Sequence, residues 1–278
     1  MQNVWLITGC STGFGRELCK VVAAKGDIAV GTVRKAEQQA ELEALAPDNI
    51  MAILLDVAKP DEVTAGVQAA LDKYGRIDVL VNNAGYGSPG GLEETPEEEM
   101  YRQFEVNVFG AVRMARAVLP AMRKQRKGHI LNITSIAGLQ GYPGVSIYNG
   151  SKFALEGIGE GLAAEVKPLG IHVTNIEPGP FRTDWAGRSA TYTPSTIEDY
   201  KETVAKNLDS INSVSGTQIG DPIKAAEAMY KVTTLENPPV HLPLGGPAYK
   251  RARIKFETIL KEVDEFEWLG KPTDYEQV

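Results

Sequence analysis

Seven short runs rich in β-branched residues recur along the chain, at positions 4–8, 28–33, 50–55, 79–81, 129–133, 171–176 and 239–242. Between them lie stretches whose apolar residues repeat with helical spacing, at 16–25, 61–74, 96–122, 146–167 and 222–235. This alternation constrains the fold more than any other feature. Strands separated by a helix pair in parallel, because the crossover returns the chain to the same edge of the sheet. Most of the runs are continuously apolar instead of alternating, the pattern of strands covered on both faces. The spacing therefore predicts an α/β fold: a doubly wound, parallel, seven-stranded sheet with helices on both faces. The rhythm reaches residue 242 with no Pro/Gly/Ser-rich linker, so a single domain is predicted over residues 1–245. Within it, residues 185–219, polar with interspersed aromatics, are expected to form the substrate loop, and residues 246–278 a C-terminal helical extension.

Composition removes several classes of function. The longest apolar stretches are strand-length, far short of a membrane span. The N-terminus runs into an apolar strand without a basic leader, which predicts a cytoplasmic protein. A formal net charge of -7, with a dense acidic cluster at residues 93–99, opposes a nucleic-acid partner. The two cysteines, Cys10 and Cys19, offer neither a metal quartet nor a structural disulfide, and His129, His172 and His241 stand singly. No metal is expected, and the histidines read as partly buried residues at strand ends.

In a doubly wound sheet, ligands bind beyond the carboxyl ends of the strands. The first run leads into Thr8-Gly9-Cys10-Ser11-Thr12-Gly13-Phe14-Gly15, with a helix expected from about Arg16. Glycines at Gly9, Gly13 and Gly15 permit a tight turn and let backbone approach a pyrophosphate, while the helix start aims unpaired amides and positive dipole at it. Ser11 and Phe14 belong to the same turn. With a strand before it and a helix after it, this reads as the dinucleotide turn of a Rossmann-type fold. The second run ends in Val33-Arg34-Lys35, where an acidic residue would bind the ribose hydroxyls of NAD. Cations there favour a 2'-phosphate, with Arg34 as its bidentate partner, so NADP(H) is the predicted cofactor. Asp56 ends the third run and suits either the adenine amino group or the cap of the next helix.

Tyr148 and Lys152 are four apart on an expected helix, on one face, where an ammonium can favour a phenolate and lower its pKa. Ser135 follows the fifth run, Asn82-Asn83-Ala84-Gly85 follows the fourth, and Asn107 lies in the long helix expected at 96–122. In this order, with Pro178-Gly179-Pro180-Phe181-Arg182-Thr183 beyond them, these motifs resemble the short-chain dehydrogenase/reductase family over roughly residues 3–245. The resemblance implies that Tyr148 is the general acid in carbonyl reduction and the base in alcohol oxidation. Ser135 would hold the substrate oxygen, Lys152 the nicotinamide ribose, and Asn107 a water relaying protons to Lys152. Asp56 and Asn83 would meet the adenosine portion, Val57, Ala84 and Gly85 would join the cofactor site, and Pro178, Phe181 and Thr183 would hold the nicotinamide. Gly150 replaces the family's usual alanine, as if the backbone packed closely there, and Phe181 a smaller aliphatic residue.

The complete set Asn107, Ser135, Tyr148 and Lys152 favours an enzyme over a non-catalytic NADP(H)-sensing protein. A carrier-protein partner is disfavoured by the overall acidity. The loop from Trp185 to Ile219, with Tyr86, Tyr142 and Phe181, suggests an aromatic, mostly apolar pocket for a hydrophobic ketone, aldehyde or secondary alcohol of steroid or terpenoid size. The long helices at 96–122 and 146–167 suggest a homodimer or homotetramer.

Overall fold

The computed structural model describes residues 2–186 and 190–275. Seven strands form one parallel sheet in the order β3-β2-β1-β4-β5-β6-β7. They are β1 (Val4–Ile7), β2 (Ile28–Val33), β3 (Ile50–Leu54), β4 (Val79–Asn82), β5 (Gly128–Ile133), β6 (Ile171–Pro178) and β7 (His241–Leu244). Strand order reverses between β1 and β4, which leaves a crevice at their carboxyl ends. Successive strand residues point to opposite faces, so Trp5 and Ile7 join one core while Val4 and Leu6 join the other. The first core is closed by α1 (Gly13–Ala24), α2 (Ala36–Glu43) and α8 (Pro222–Val232), through Leu18, Leu42 and Met229. The second is closed chiefly by α3 (Pro60–Tyr74), α5 (Ala111–Gln125) and α6 (Ser146–Val166), through Val67, Met114 and Val166.

Several elements differ from their sequence expectations. The helix expected at 96–122 is divided into α4 (Glu97–Phe104) and α5 by a π turn, Glu105–Gly110. Asn107 sits in that turn, and its side chain bonds both backbone groups of Tyr86, each at 3.0 Å. A widened turn re-aims one side chain inward, which is the work π turns commonly do. Helix α1 starts at Gly13 instead of near Arg16, so the glycine turn supplies the helix's own first amides. Strand β7 lies two residues later than expected, paired with Asn175–Pro178 of β6. The substrate loop is partly helical, with a π turn at Lys201–Ala205 running into α7 (Lys206–Ser213); residues 187–189 of that loop lie outside the described residues. The C-terminal extension forms α9 (Gly246–Glu265) and α10 (Glu267–Gly270). Among the described residues, no helix is long and apolar enough to cross a membrane.

A chain of buried amides crosses three strands at one register level. Asn82, Asn132 and Asn175 are aligned across β4, β5 and β6. Asn82 Nδ2 donates to Asn132 Oδ1 at 2.9 Å, Asn132 Nδ2 to Asn175 Oδ1 at 3.0 Å, and Asn175 Nδ2 to the Glu156 carboxylate at 2.6 Å. The chain thus ends on α6. There the buried Glu156 and Glu177 meet His241, whose Nδ1 lies 2.8 Å from Glu177 Oε1 and 3.5 Å from Glu156 Oε2. One potential metal-ligand atom from each of the three lies within 4.8 Å of the others, so His241 is not the isolated histidine expected. Residues from α6, β6 and β7 meet here only through the tertiary fold, which local spacing does not record.

Three glycines of α6 give opposite predictions. A Cβ at Gly159 would overlap the Asn175 amide, whereas Gly157 and Gly161 face open space. Gly159→Ala should cost about 1–3 kcal/mol by overpacking, while Gly157→Ala and Gly161→Ala should each gain about 0.5–1 kcal/mol of helix stability. Urea denaturation of the three variants checks this, and equal effects at all three sites would refute the packing account.

The carboxylates at the end of the chain predict a pH dependence. Burial, with Glu160 nearby, pushes Glu177 up to about 7 from the ordinary 4.5, and burial raises Glu156 too. Through that window the folded protein holds more protons at these groups than the unfolded chain, so their contribution to stability falls as pH rises. Glu177→Gln should flatten the loss of Tm between about pH 5 and 8 and melt higher than the parent at the alkaline end. Parallel Tm profiles for the two proteins would rule this out.

Candidate active site

A cleft of about 1030 Å³ runs along the carboxyl edge of the sheet, from Arg34 at one end to Tyr148 and Trp185 at the other. Its floor is the junction of β1 and β4. Thr8 Oγ1 accepts the backbone N–H groups of Asn83 and Ala84, at 3.0 and 2.9 Å, and Asn83 Nδ2 donates to the Thr8 and Gly9 carbonyls at 2.8 and 3.0 Å. Gly9 and Gly13 have φ of 70° and 60°, in the left-handed region. A Cβ on Gly9 would come 2.9 Å from Ala84 Cα, so the turn needs glycine for space as well as conformation. Thr12 at the start of α1 makes no side-chain cap, which leaves the helix's first amides free toward the cleft.

Most of the residues singled out in the sequence line this cleft: Gly9, Ser11, Gly13 and Phe14 on the turn, Asp56 and Val57 after β3, and Asn83, Ala84 and Gly85 after β4. Gly15 stands behind it, where a Cβ would meet Asn83 Nδ2 at 2.6 Å. Arg34 and Lys35 are exposed at the rim. Arg34 has no acidic partner among the described residues, and Lys35 makes only a 4.0 Å contact with Glu37. Asp56 Oδ1 accepts the Ala58 N–H at 3.0 Å, closing the turn after β3; the residue that precedes α3 is Lys59, so Asp56 does not cap that helix. An uncapped helix start and a glycine turn in contact with Ala84 suit the pyrophosphate of a dinucleotide.

At the other end, Ser135 follows β5 and its Oγ accepts the Ala137 N–H at 3.0 Å. Tyr148 and Lys152 sit one turn apart on α6, both buried. Lys152 Nζ donates to the Ile133 carbonyl at 2.8 Å and lies 5.7 Å from the Tyr148 ring centroid. Burial pushes the Tyr148 phenol up to about 12, and the nearby Ser135 and Trp185 side chains oppose the rise. Burial pulls Lys152 down to about 8, opposed by Glu156. The expected lowering of Tyr148 by Lys152 is therefore not what the protein alone shows: the ammonium is held by a carbonyl, and desolvation of the phenol outweighs the rest.

Asn107 does not line the cleft. Its amide hydrogens reach Tyr86 O and Ser151 Oγ, at 3.0 and 3.2 Å. Pro178 ends β6 and Phe181 and Thr183 follow it into the cleft, where Phe181 packs edge-on against Phe14 with ring centroids 5.3 Å apart. The larger residue at Phe181 thus braces the glycine turn. A Cβ at Gly150 would make only ordinary contact, 3.5 Å from Phe104, so close packing does not explain that glycine.

Of three further residues at the site, Trp185 belongs to the expected substrate loop, whereas Arg251 and Glu156 were not foreseen. Trp185 tilts over Tyr148, centroids 5.1 Å apart, and a Cβ on Gly87 would come within 2.8 Å of the indole. Arg251 arrives from α9 with its guanidinium 5.4 Å from the Tyr142 ring centroid, and Glu156 lies one helical turn past Lys152. Only the aromatic in the loop carried a sequence signal, since Arg251 comes from outside the strand–helix rhythm and Glu156 reads as a helix acid.

Residues 3–192 match the short chain dehydrogenase family. Oxidoreductase BOA17 of Botryotinia fuckeliana is 36% identical over 266 residues, covering 95% of this chain and 96% of that protein. The 3-ketodihydrosphingosine reductase of Bacteroides thetaiotaomicron is 37% identical over 244 residues, 87% of this chain and 88% of its own. A short-chain dehydrogenase from Streptomyces avermitilis superposes with a TM-score of 0.93 at 39% identity over 98% of both chains. ElxO with NADP bound superposes at 0.75 with 28% identity, over 90% of this chain and 100% of ElxO. With a seven-stranded parallel sheet, a glycine turn at its switch point and Ser135, Tyr148 and Lys152 in one cleft, the chain is an oxidoreductase of the short-chain dehydrogenase/reductase family.

Proposed function

We propose that the protein interconverts a ketone or aldehyde and an alcohol with NADP(H), using Tyr148 as general acid and base. One observation carries this reading: Ser135, Tyr148 and Lys152 share the inner end of a cleft whose outer end carries the unpaired cation Arg34. Gly9, Ser11 and Phe14 with the start of α1 would hold the pyrophosphate, Arg34 the 2'-phosphate, and Lys152 the nicotinamide ribose. When bound, the cofactor supplies or accepts the hydride. Ser135 Oγ and the Tyr148 hydroxyl hold the carbonyl oxygen, and Tyr148 gives it a proton as the alcohol forms. Lys152 then returns a proton toward Tyr148. Both amide hydrogens of Asn107 are spent, so the relay water implied by the family would rest on its Oδ1 or main chain.

The substrate lobe supports a hydrophobic carbonyl compound or secondary alcohol. Tyr142, Val145, Trp185, Ile211 and Val214 line it together with the polar Asn207, Ser210, Gln218 and Arg251, so an apolar wall carries a few polar groups. That a similar protein reduces a ketodihydrosphingosine fits this class. A homodimer or homotetramer is the proposed assembly, with exposed Tyr101, Phe109, Phe153 and Ile158 on the α4–α6 side as its contact face.

Tyr148→Phe removes only the hydroxyl, so kcat for carbonyl reduction should fall by about 10²- to 10⁴-fold with little change in NADPH affinity. A panel of ketones assayed by NADPH consumption supplies the substrate. Near-parental turnover would overturn the mechanism, and NADPH binding without turnover of any compound in either protein would favour a sensor. The same pair of proteins tests the protonation state. In the cofactor-free protein, the ultraviolet difference between parent and variant should show no tyrosinate assignable to Tyr148 up to about pH 10, because burial holds that phenol up.

The cofactor preference rests on Arg34. Arg34→Asp places a carboxylate where the 2'-phosphate would lie and should shift kcat/KM toward NADH by at least about tenfold. Equal use of both cofactors by the parent would defeat the assignment.

A further inference from the structure

The short segment that follows β5 carries Ser135 at one end and Tyr142 at the other. Its first turn, Ile136–Gly138, is also what anchors α9: Ala248 and Ala252 are buried against Ile136, with Leu139 beside them. Between those two alanines the helix carries Arg251, which joins the lining of the cleft with its guanidinium 5.4 Å from the Tyr142 ring centroid. Tyr142 in turn packs against the buried cluster of Ala137, Val145 and Tyr148. One packed segment therefore positions both Ser135, which faces the reacting carbonyl in the proposed function, and the ring on which a cation rests.

That cation is not committed to an acid. Asp56, Glu105 and Asp184 also line the cleft, but among the described residues no carboxylate lies within ion-pair distance of Arg251, and Glu105 is paired with Arg113. Residues 244–256 add Lys250, Arg253 and Lys255 and contain no acid, on a chain whose net charge is -7. The charge carried by this stretch is thus opposite in sign to that of the whole molecule, and it favours an anion at the mouth of the lobe. The contact with Tyr142 uses one face of the guanidinium and leaves its in-plane N–H groups for an acceptor. Tyr142 Oη is itself buried with no hydrogen-bond partner, so a second donor is uncommitted at the same place. A guanidinium held flat on a ring is prepared for the two parallel bonds that a carboxylate accepts. The rest of the lobe is the apolar wall of Val145, Ile211 and Val214 with the uncharged Asn207, Ser210 and Gln218.

We propose that the substrate is an oxo acid, an apolar body carrying a carboxylate apart from its reacting carbonyl, and that Arg251, seated on Tyr142, binds the carboxylate. The carbonyl half of this statement rests on the proposed function; the carboxylate half rests on Arg251 and its surroundings. Val145, Ile211 and Val214 would cover the apolar stretch between the two groups. Because Arg251 is exposed at the edge of α9 while Ala248 and Ala252 hold the helix down, replacing the arginine leaves the folded body intact.

The test begins with binding, so that it does not depend on turnover. Decanoate and decan-1-ol, neither of which NADPH reduces, are titrated by calorimetry into the full chain in the presence of excess NADPH. The parent should bind decanoate at least about tenfold more tightly than the alcohol, the gain of a charge-assisted, two-pronged bond. Arg251→Met keeps the stem and removes the charge, and it should bring the two affinities together, chiefly by weakening decanoate, with an unchanged Tm. In turnover, oxo acids of graded length should be reduced with higher kcat/KM than their methyl esters, and Arg251→Met should remove that advantage through KM. Equal binding of the two probes by the parent, or a preference for decanoate that survives in Arg251→Met, overturns the assignment of the carboxylate. A preference that does depend on Arg251, in a protein that turns over no oxo acid, ester or ketone, upholds the anion subsite and defeats the carbonyl reading instead.

Discussion

The buried amide chain from Asn82 through Asn132 and Asn175 to Glu156 is the constraint on which the catalytic geometry depends. Aliphatic side chains can hold a helix against a sheet, but they tolerate small slides along it. Amides cannot, because a buried polar group that loses its partner costs about 1–3 kcal/mol. Asn175 bonds both the carboxylate and, at 3.1 Å, the backbone carbonyl of Glu156, so it fixes α6 along its axis as well as around it. Gly159, the next small residue on that face, lets the helix come close enough for those bonds. Lys152 lies one turn before Glu156 and Tyr148 one turn before that, so the position of the phenol relative to the cleft is set by hydrogen bonds formed below it.

At the top of the same helix the packing is aromatic and comes from a separate part of the chain. Trp185 wedges between the flat surface at Gly87 and the ring of Tyr148, which makes the substrate loop part of the tyrosine's environment. The loop's path is pinned by parallel bridges, Gly87 to Ala190 and Phe181 to Gly220, so its two ends are tied to the strand ends. Excluding water from the phenol strengthens every dipole aimed at it. It also explains why the phenol stays protonated in the protein alone.

What was legible in the sequence followed the range of the interactions. All seven strands stood out because a strand covered on both faces leaves a run of apolar residues, and the glycine turn stood out because backbone conformation at Gly9 and Gly13, and space at Gly9, admit little else. Tyr148 and Lys152 were visible because their pairing is local to one helix. The π turn was not, since its cause is the bond from Asn107 to Tyr86, 21 residues away in the chain. Nor was the meeting of Glu156, Glu177 and His241, which takes one residue from each of three elements. The histidine looked solitary because its neighbours are neighbours only after the sheet has formed.

That meeting place has a bearing on the chemistry above it. Burial moves the groups of this region in opposite senses: it favours the neutral phenol at Tyr148, the neutral amine at Lys152 and the neutral acids at Glu156 and Glu177. Lys152 at about 8 and the two carboxyls near 7 therefore titrate in the same range. Glu156 is the group that holds the Lys152 charge up. Each proton taken by Glu156 weakens that support, while each one released strengthens it, so the three sites titrate as a set and not as independent groups. The positive charge beside Tyr148 is thereby tied to carboxylates that line the underside of the helix. On the proposed mechanism the phenolate is both the base of alcohol oxidation and what proton donation leaves behind in carbonyl reduction, so a cation beside Tyr148 serves both directions of the reaction.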